Sequence, residues 1–214
     1  MITMAPSLLI ASAGIRQFAL FGSTQSFDNT NPKQATIPAE TKSGDLLLML
    51  VASESPLSVP SGWTTLIIDS AGVEWMVISK TAGPSDAGST FTYGTDNNDS
   101  SAVVAVFGSA ATSVFGGSYS SGGDTGETTH SITTLNVNDI VIAWGATKAE
   151  EHALTLATAG FTEISAVASA SGFSAAVGLH YKVQASAGAT GTVDFSSGGD
   201  GRTAVGLMSI TSTL

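Results

Sequence analysis

The chain has 214 residues, 7 basic against 17 acidic, a net charge of −10 and no cysteine. This balance works against nucleic-acid binding, which rests on clustered Lys and Arg. Disulfide scaffolds and thiolate zinc sites are excluded outright.

Only 11% of residues are charged, and Ser, Thr, Ala and Gly number 30, 26, 29 and 24. Side chains this small and neutral suit short strands and tight turns. In chain order, the first segment carries an apolar run, Leu8 to Ala11, followed by Ala11-Ser12-Ala13, which fits a small-x-small cleavage pattern. No Lys or Arg precedes it and the run is short, so residues 1–14 read as an arm rather than an export signal. Leu8, Leu9 and Ile10 are its expected partner-docking residues. No run reaches the ~18 apolar residues of a membrane span, so no membrane insertion is expected.

Strands are predicted at Gln17–Gly22, Leu46–Ser53, Thr64–Asp69, Val73–Lys80, Ser89–Tyr93 and Ala102–Phe107. Turn chemistry separates them: Asn31-Pro32, Pro60-Ser61-Gly62, Ala82 to Asp86, and Asp96 to Asp99. Leu46 to Val51 is apolar at every position, which suits a strand covered on both faces. Lys148 to Leu154 contains good helix formers and reads as a loop with a turn or two of helix. Many short strands with regular turns predict an all-β fold.

The chain also repeats itself. Phe21-Gly22 and Asp45 recur as Phe115-Gly116 and Asp139, each 94 residues later. With short insertions, Ser61 to Thr64 runs against Ala159 to Thr162, and Ile78-Ser79-Lys80 against His180-Tyr181-Lys182. The expected architecture is a jelly-roll-like antiparallel β-sandwich built from two pseudo-repeats of about 100 residues. The repeats are placed at 15–109 and 110–214, in one compact domain. Gly44-Asp45 and Asn138-Asp139 are turn dipeptides that release the chain into its two buried strands.

Chemistry is sparse. No serine sits in Gly-x-Ser-x-Gly. His130, His152 and His180 lie in different contexts, and His180, within a strand, reads as a packing or surface residue. Asp45 and Asp139 share one pre-strand turn, which gives them a structural role rather than that of a glycosidase pair. Asp96, Asn98 and Asp99 are a weak calcium candidate, because several oxygen-bearing side chains crowd one turn. The competing reading is a solvated hairpin turn. Trp63, Trp75 and Trp144 read as core. No phosphate-binding glycine loop is present, and no cofactor is expected.

Gly-Asp-Leu-Leu-Leu (44–48), Pro-Ser-Gly-Trp-Thr (60–64), Ile-Ser-Lys-Thr-Ala-Gly (78–83), Asp-Ala-Gly-Ser-Thr-Phe-Thr (86–92) and Ala-Val-Val (102–104) together carry a resemblance. Over about Ala35 to Ser212 the chain resembles Ser/Thr/Ala/Gly-rich β-sandwich structural proteins of tailed bacteriophages. The resemblance implies a non-enzymatic virion protein at the particle surface, either a head decoration (cement) protein or a tail or fibre component. Its implied partners are major capsid or tail proteins and further copies of itself. The chain contains no heptads, collagen triplets or fibrous repeat, which favours decoration. The alternative is a carbohydrate-binding module for a host cell-surface glycan, and a polysaccharide-cleaving enzyme ranks third.

Overall fold

Leu46 to Ser53 is buried at every position. Alternate side chains of a strand point to opposite faces, so such a strand must be covered twice. The computed structural model supplies that cover with strands alone. It describes residues 19–28, 30–69, 74–108, 110–122, 127–129, 131–148, 154–167, 175–196 and 202–212.

The first half contributes β1 (Ala19–Asp28), β2 (Lys33–Thr36), β3 (Leu46–Ser53), β4 (Thr64–Asp69), β5 (Glu74–Thr81), β6 (Thr90–Gly94) and β7 (Ser100–Gly108). The second contributes β8 (Ala110–Gly122), β9 (Glu127–Thr128), β10 (Thr133–Thr134), β11 (Ile140–Lys148), β12 (Thr155–Leu156) and β13 (Thr162–Val167). It continues with β14 (Ala175–Val183), β15 (Gly188–Ala189), β16 (Asp194–Ser196) and β17 (Arg202–Ser212). Among the described residues no helix is long and apolar enough to cross a membrane.

Each half builds one five-stranded antiparallel sheet, in the order β1-β7-β3-β5-β4 and β8-β17-β11-β14-β13 respectively. Strand by strand the two orders follow one plan, with β3 and β11 at the centres. Even an irregularity recurs, since register slips between Thr65 and Ile67 in β4 and between Glu163 and Ser165 in β13. Each large sheet is drawn wholly from one half, with no strands alternating between them.

The two sheets pack face to face. Leu46, Leu48, Leu50, Trp75 and Val103 of the first meet Ile140, Ile142, Trp144, Leu179 and Met208 of the second in one core. β1 lies over β13, β7 over β14, β3 over β11 and β14, and β4 over β8, an aligned rather than crossed stack. Ser101 Oγ donates to the Ala175 carbonyl at 2.5 Å and ties the ends of the sheets remote from Asp45 and Asp139. Those two turns therefore share the other end of the molecule.

The outward faces are covered separately. The β2–β6 ribbon, with Ala35, Ile37, Trp63 and Tyr93, seals Leu47, Met49, Val51, Met76 and Ile78. Small sheets β9-β16-β12 and β10-β15 carry Phe195 and neighbouring apolar residues over Val141, Ala143, Val205 and Leu207. Four layers result, and a fully buried aliphatic side chain in them contributes about 1.5–3 kcal/mol.

Two readings of the sequence change. The first strand runs on to Asp28 rather than ending at Gly22, because Ser23 to Asp28 continue the pairing on β7, opposite Ala105 to Ser100. Their polar side chains hide the strand from a hydrophobicity scan. Lys148 is the last residue of β11 and pairs with Ala175 and Arg202 rather than opening a helix. Residues 149–153 lie outside the described residues.

Candidate functional site

The acidic turn between β6 and β7 holds a cation, and that cation is a side chain. Lys33 is fully buried, and its Nζ lies 2.9 Å from Asp96 Oδ1. The same ammonium donates to the Asn98 carbonyl. The Asn98 backbone N–H donates to Asp96 Oδ1 at 2.9 Å, and its side-chain amide to Ser55 Oγ. The Asp99 carbonyl accepts from the Glu54 N–H at 3.2 Å and from Ser53 Oγ at 3.5 Å. Burial alone would raise the Asp96 carboxyl, but the Lys33 ammonium, the Asn98 N–H and the Ser55 hydroxyl outweigh it and hold it below the ordinary 3.8.

The calcium candidates are thus pointed at different partners, with Asp96 turned to Lys33 and the Asn98 amide to Ser55. Among the described residues no three His, Asp or Glu side chains gather as a metal centre. Glycine makes the arrangement possible, since a Cβ at Gly94 would stand 2.7 Å from Lys33 Cδ. Sequence reasoning missed Lys33 because it lies in a short polar segment after a proline.

Asp45 and Asp139 are both buried and clamp equivalent turns. Asp45 Oδ2 accepts from the Lys42 N–H at 2.8 Å, and Asp139 Oδ2 from Leu135 and Asn136 N–H at 3.0 and 2.9 Å. Next along, Gly44 has φ 91° and Asn138 φ 66°, a left-handed conformation that Gly and Asn tolerate best. A pair of backbone bonds closes each turn: Gly44 to Ala82 and Ala82 to Asp45 in the first, Asn138 to Gln184 and Gln184 to Asp139 in the second.

His180 lies in β14 under the edge of Phe195, with ring centroids 6.0 Å apart. Its Nε2 is 3.8 Å from the exposed Glu163 carboxylate, and its buried Nδ1 has no hydrogen-bond partner. Burial lowers its pKa from the ordinary 6.5, against a smaller upward pull from Glu163. An aromatic ring, a solvent-facing acid and nearby Gly178 make this a packed residue. The three tryptophans are buried, at 8%, 3% and 0% exposure for Trp63, Trp75 and Trp144. His130, His152 and the docking residues Leu8, Leu9 and Ile10 lie outside the described residues.

No known protein family, curated protein or solved structure matches this chain.

One surface feature was not visible in the sequence. Leu135, Val137 and Val183 are 70%, 60% and 54% exposed. Leu135 and Val137 belong to the Asp139 turn, and Val183 precedes Gln184, whose carbonyl accepts from the Asn138 N–H. Read linearly, they belong to three ordinary apolar positions. The register of β11 on β14, with Ile140 opposite Val183, sets the end of β14 beside the Asp139 turn.

Proposed function

We propose that this protein is a non-enzymatic structural component of a tailed-bacteriophage virion, a head decoration protein of the particle surface in preference to a tail or fibre component. The observation that carries this reading is the stack itself. Both central strands are buried on two faces, and the inner face of each half is sealed by the other. A part built this way holds its shape by packing, and a chain so poor in charged and rich in small side chains suits lateral contacts. The resemblance of residues 35–212 to phage β-sandwich structural proteins supports the same reading, and the apolar arm supplies a means of attachment. Its partners are then capsid or tail proteins and further copies of the chain.

The glycan-binding alternative has less support. Sugar-stacking surfaces use exposed aromatic rings, whereas all three tryptophans are spent on packing. The test is the copy number relative to the major capsid protein in gradient-purified particles, measured by quantitative mass spectrometry. Hundreds of copies are expected for a decoration protein, and three to a few dozen would move it to the tail. Absence from particles would overturn the reading and send the protein to a glycan array. Deleting residues 1–12 should abolish incorporation while the sandwich still folds; undiminished incorporation would remove the arm from the account.

A further inference from the structure

Both large sheets end in edge strands, β1 and β4 in the first, β8 and β13 in the second. An edge strand presents unpaired N–H and C=O groups on which another chain can add a strand. All four of these edges are irregular in the same way. Phe21 is an extra residue in β1, standing between the pairs Leu20–Phe107 and Gly22–Val106. Leu66 is extra in β4, and Ile164 in β13. In β8, Gly117 and Ser118 stand against Leu207 alone. The inner pairings, β7 on β3, β3 on β5, β14 on β11 and β11 on β17, run without a shift. Within the two sheets, then, extra residues fall on the outer strands and nowhere else. A bulge bends its strand and breaks the even spacing of the outward groups, so a straight strand cannot lie along it.

Side chains reinforce the breaks. Glu163 flanks the β13 bulge, and its side chain is 62% exposed. A Cβ on Gly22, beside the β1 bulge, would fall 2.5 Å from Glu40 Oε1, so a carboxylate lies over that strand. A strand added at either edge would have to take these charges out of water. The edges β1 and β13 are also tied to each other across the sandwich. Ser23 Oγ donates to the carbonyl of the extra residue Ile164 at 3.4 Å, and Ser165 Oγ donates to Gln25 Oε1. The remaining sheets offer little length for pairing. The β2–β6 ribbon has its own extra residue, Tyr93, and the strands of the two small sheets are two or three residues long.

We propose that these bulges close the sheets to strand addition, so that the chain meets any neighbour, a second copy included, through side chains and never by sharing a sheet. The inference concerns the kind of contact and holds wherever the protein works, in a particle or free.

Hydrogen exchange on the unaltered chain tests it directly. Amide protection in β1, β4, β8 and β13 should be the same at roughly 10 µM and roughly 1 mM, whatever the state of association. Edge amides whose protection grows with concentration would overturn the proposal. Straightening one edge supplies the second test. Deleting Ile164 together with Glu163→Thr keeps residue 163 on the His180 face of β13 and Ser165 on the Leu179 face. The folded variant should associate, at least doubling the sedimentation mass of the parent at the same concentration, with the new protection confined to β13. A folded variant that sediments like the parent would show that the bulge is not the barrier. The exchange comparison needs no variant and decides the matter even where the deletion prevents folding.

Discussion

At the scale of single residues, the two halves can be read as controls for each other. His180 stands three residues before Val183, and Ile78 three before Thr81, the two register-matched strand ends. One half thus fills this outward-facing core position with Ile and the other with an imidazole whose Nδ1 has no partner. A buried polar group left unsatisfied costs roughly 1–3 kcal/mol. Its native pKa is lowered, so at high pH both folded and unfolded chains hold it neutral. As pH falls below the ordinary 6.5, the unfolded chain takes up a proton that the native state resists, and stability is lost down to the native pKa. Substituting His180→Ile should raise stability by about 1 kcal/mol at pH 7, with the gain widening between pH 6.5 and 5. Urea denaturation across that range measures it, and a pH-independent loss of stability would show that the imidazole is better accommodated than its geometry indicates. That His180 sits within a strand was legible in the sequence. Lys33 was not, because nothing local announces that Gly94, far along the chain, vacates the space for its side chain.

At the scale of elements, strand limits were legible where apolar runs are long. Leu46–Ser53 and Thr64–Asp69 match the structure residue for residue. Polar edge strands and two-residue bridges were not, since pairing rather than composition defines them. Packing between strands was less legible still. In the first sheet Leu50 lies opposite Val103, and in the second the same register places Trp144 opposite Gly206. A Cβ on Gly206 would fall 2.4 Å from Trp144 Cζ2, so the glycine is the slot for the indole. Trp144 in turn packs on Trp75 across the two sheets, with ring centroids 5.0 Å apart. The volumes exchange, large for medium and absent for medium. Gly206→Val alone should therefore be severely destabilising by overpacking. Trp144→Leu alone should be destabilising through the cavity it leaves, by less than the roughly 3–5 kcal/mol of a Trp→Ala truncation. The double variant restores the first sheet's pair and should be more stable than either single one, with a coupling of at least ~2 kcal/mol by a double-mutant cycle. Additive losses would mean that the pair is not the unit of packing.

At the scale of the whole molecule, the repetition in sequence implied two like halves but not how they meet. An apolar run such as Leu46 to Val51 says that both faces are covered and leaves the cover unnamed. The structure answers it with β3 set against β11 and β14, and with β1 over β13 while β4 lies over β8. Since β1 corresponds to β8 and β4 to β13, exchanging the halves carries β3 on β11 into itself and β1 on β13 into β4 on β8, whereas the packing of β3 and β7 on β14 has no comparable counterpart on β5, so the contact follows the plan of an isologous interface only in part. The inner core is then a dimer-like contact carried within one chain, and neither half has a second way to hide Leu48, Leu50, Trp75 and Val103. A fragment of residues 15–109 alone should not persist as a folded monomer. It should self-associate through that face, while co-expression with residues 110–214 should give a one-to-one complex of the intact protein's size. Sedimentation of the separate and co-expressed fragments decides the matter. A cooperatively folding, monomeric first half would mean that its outer ribbon suffices for stability, and that the sheet-on-sheet contact joins two independent domains.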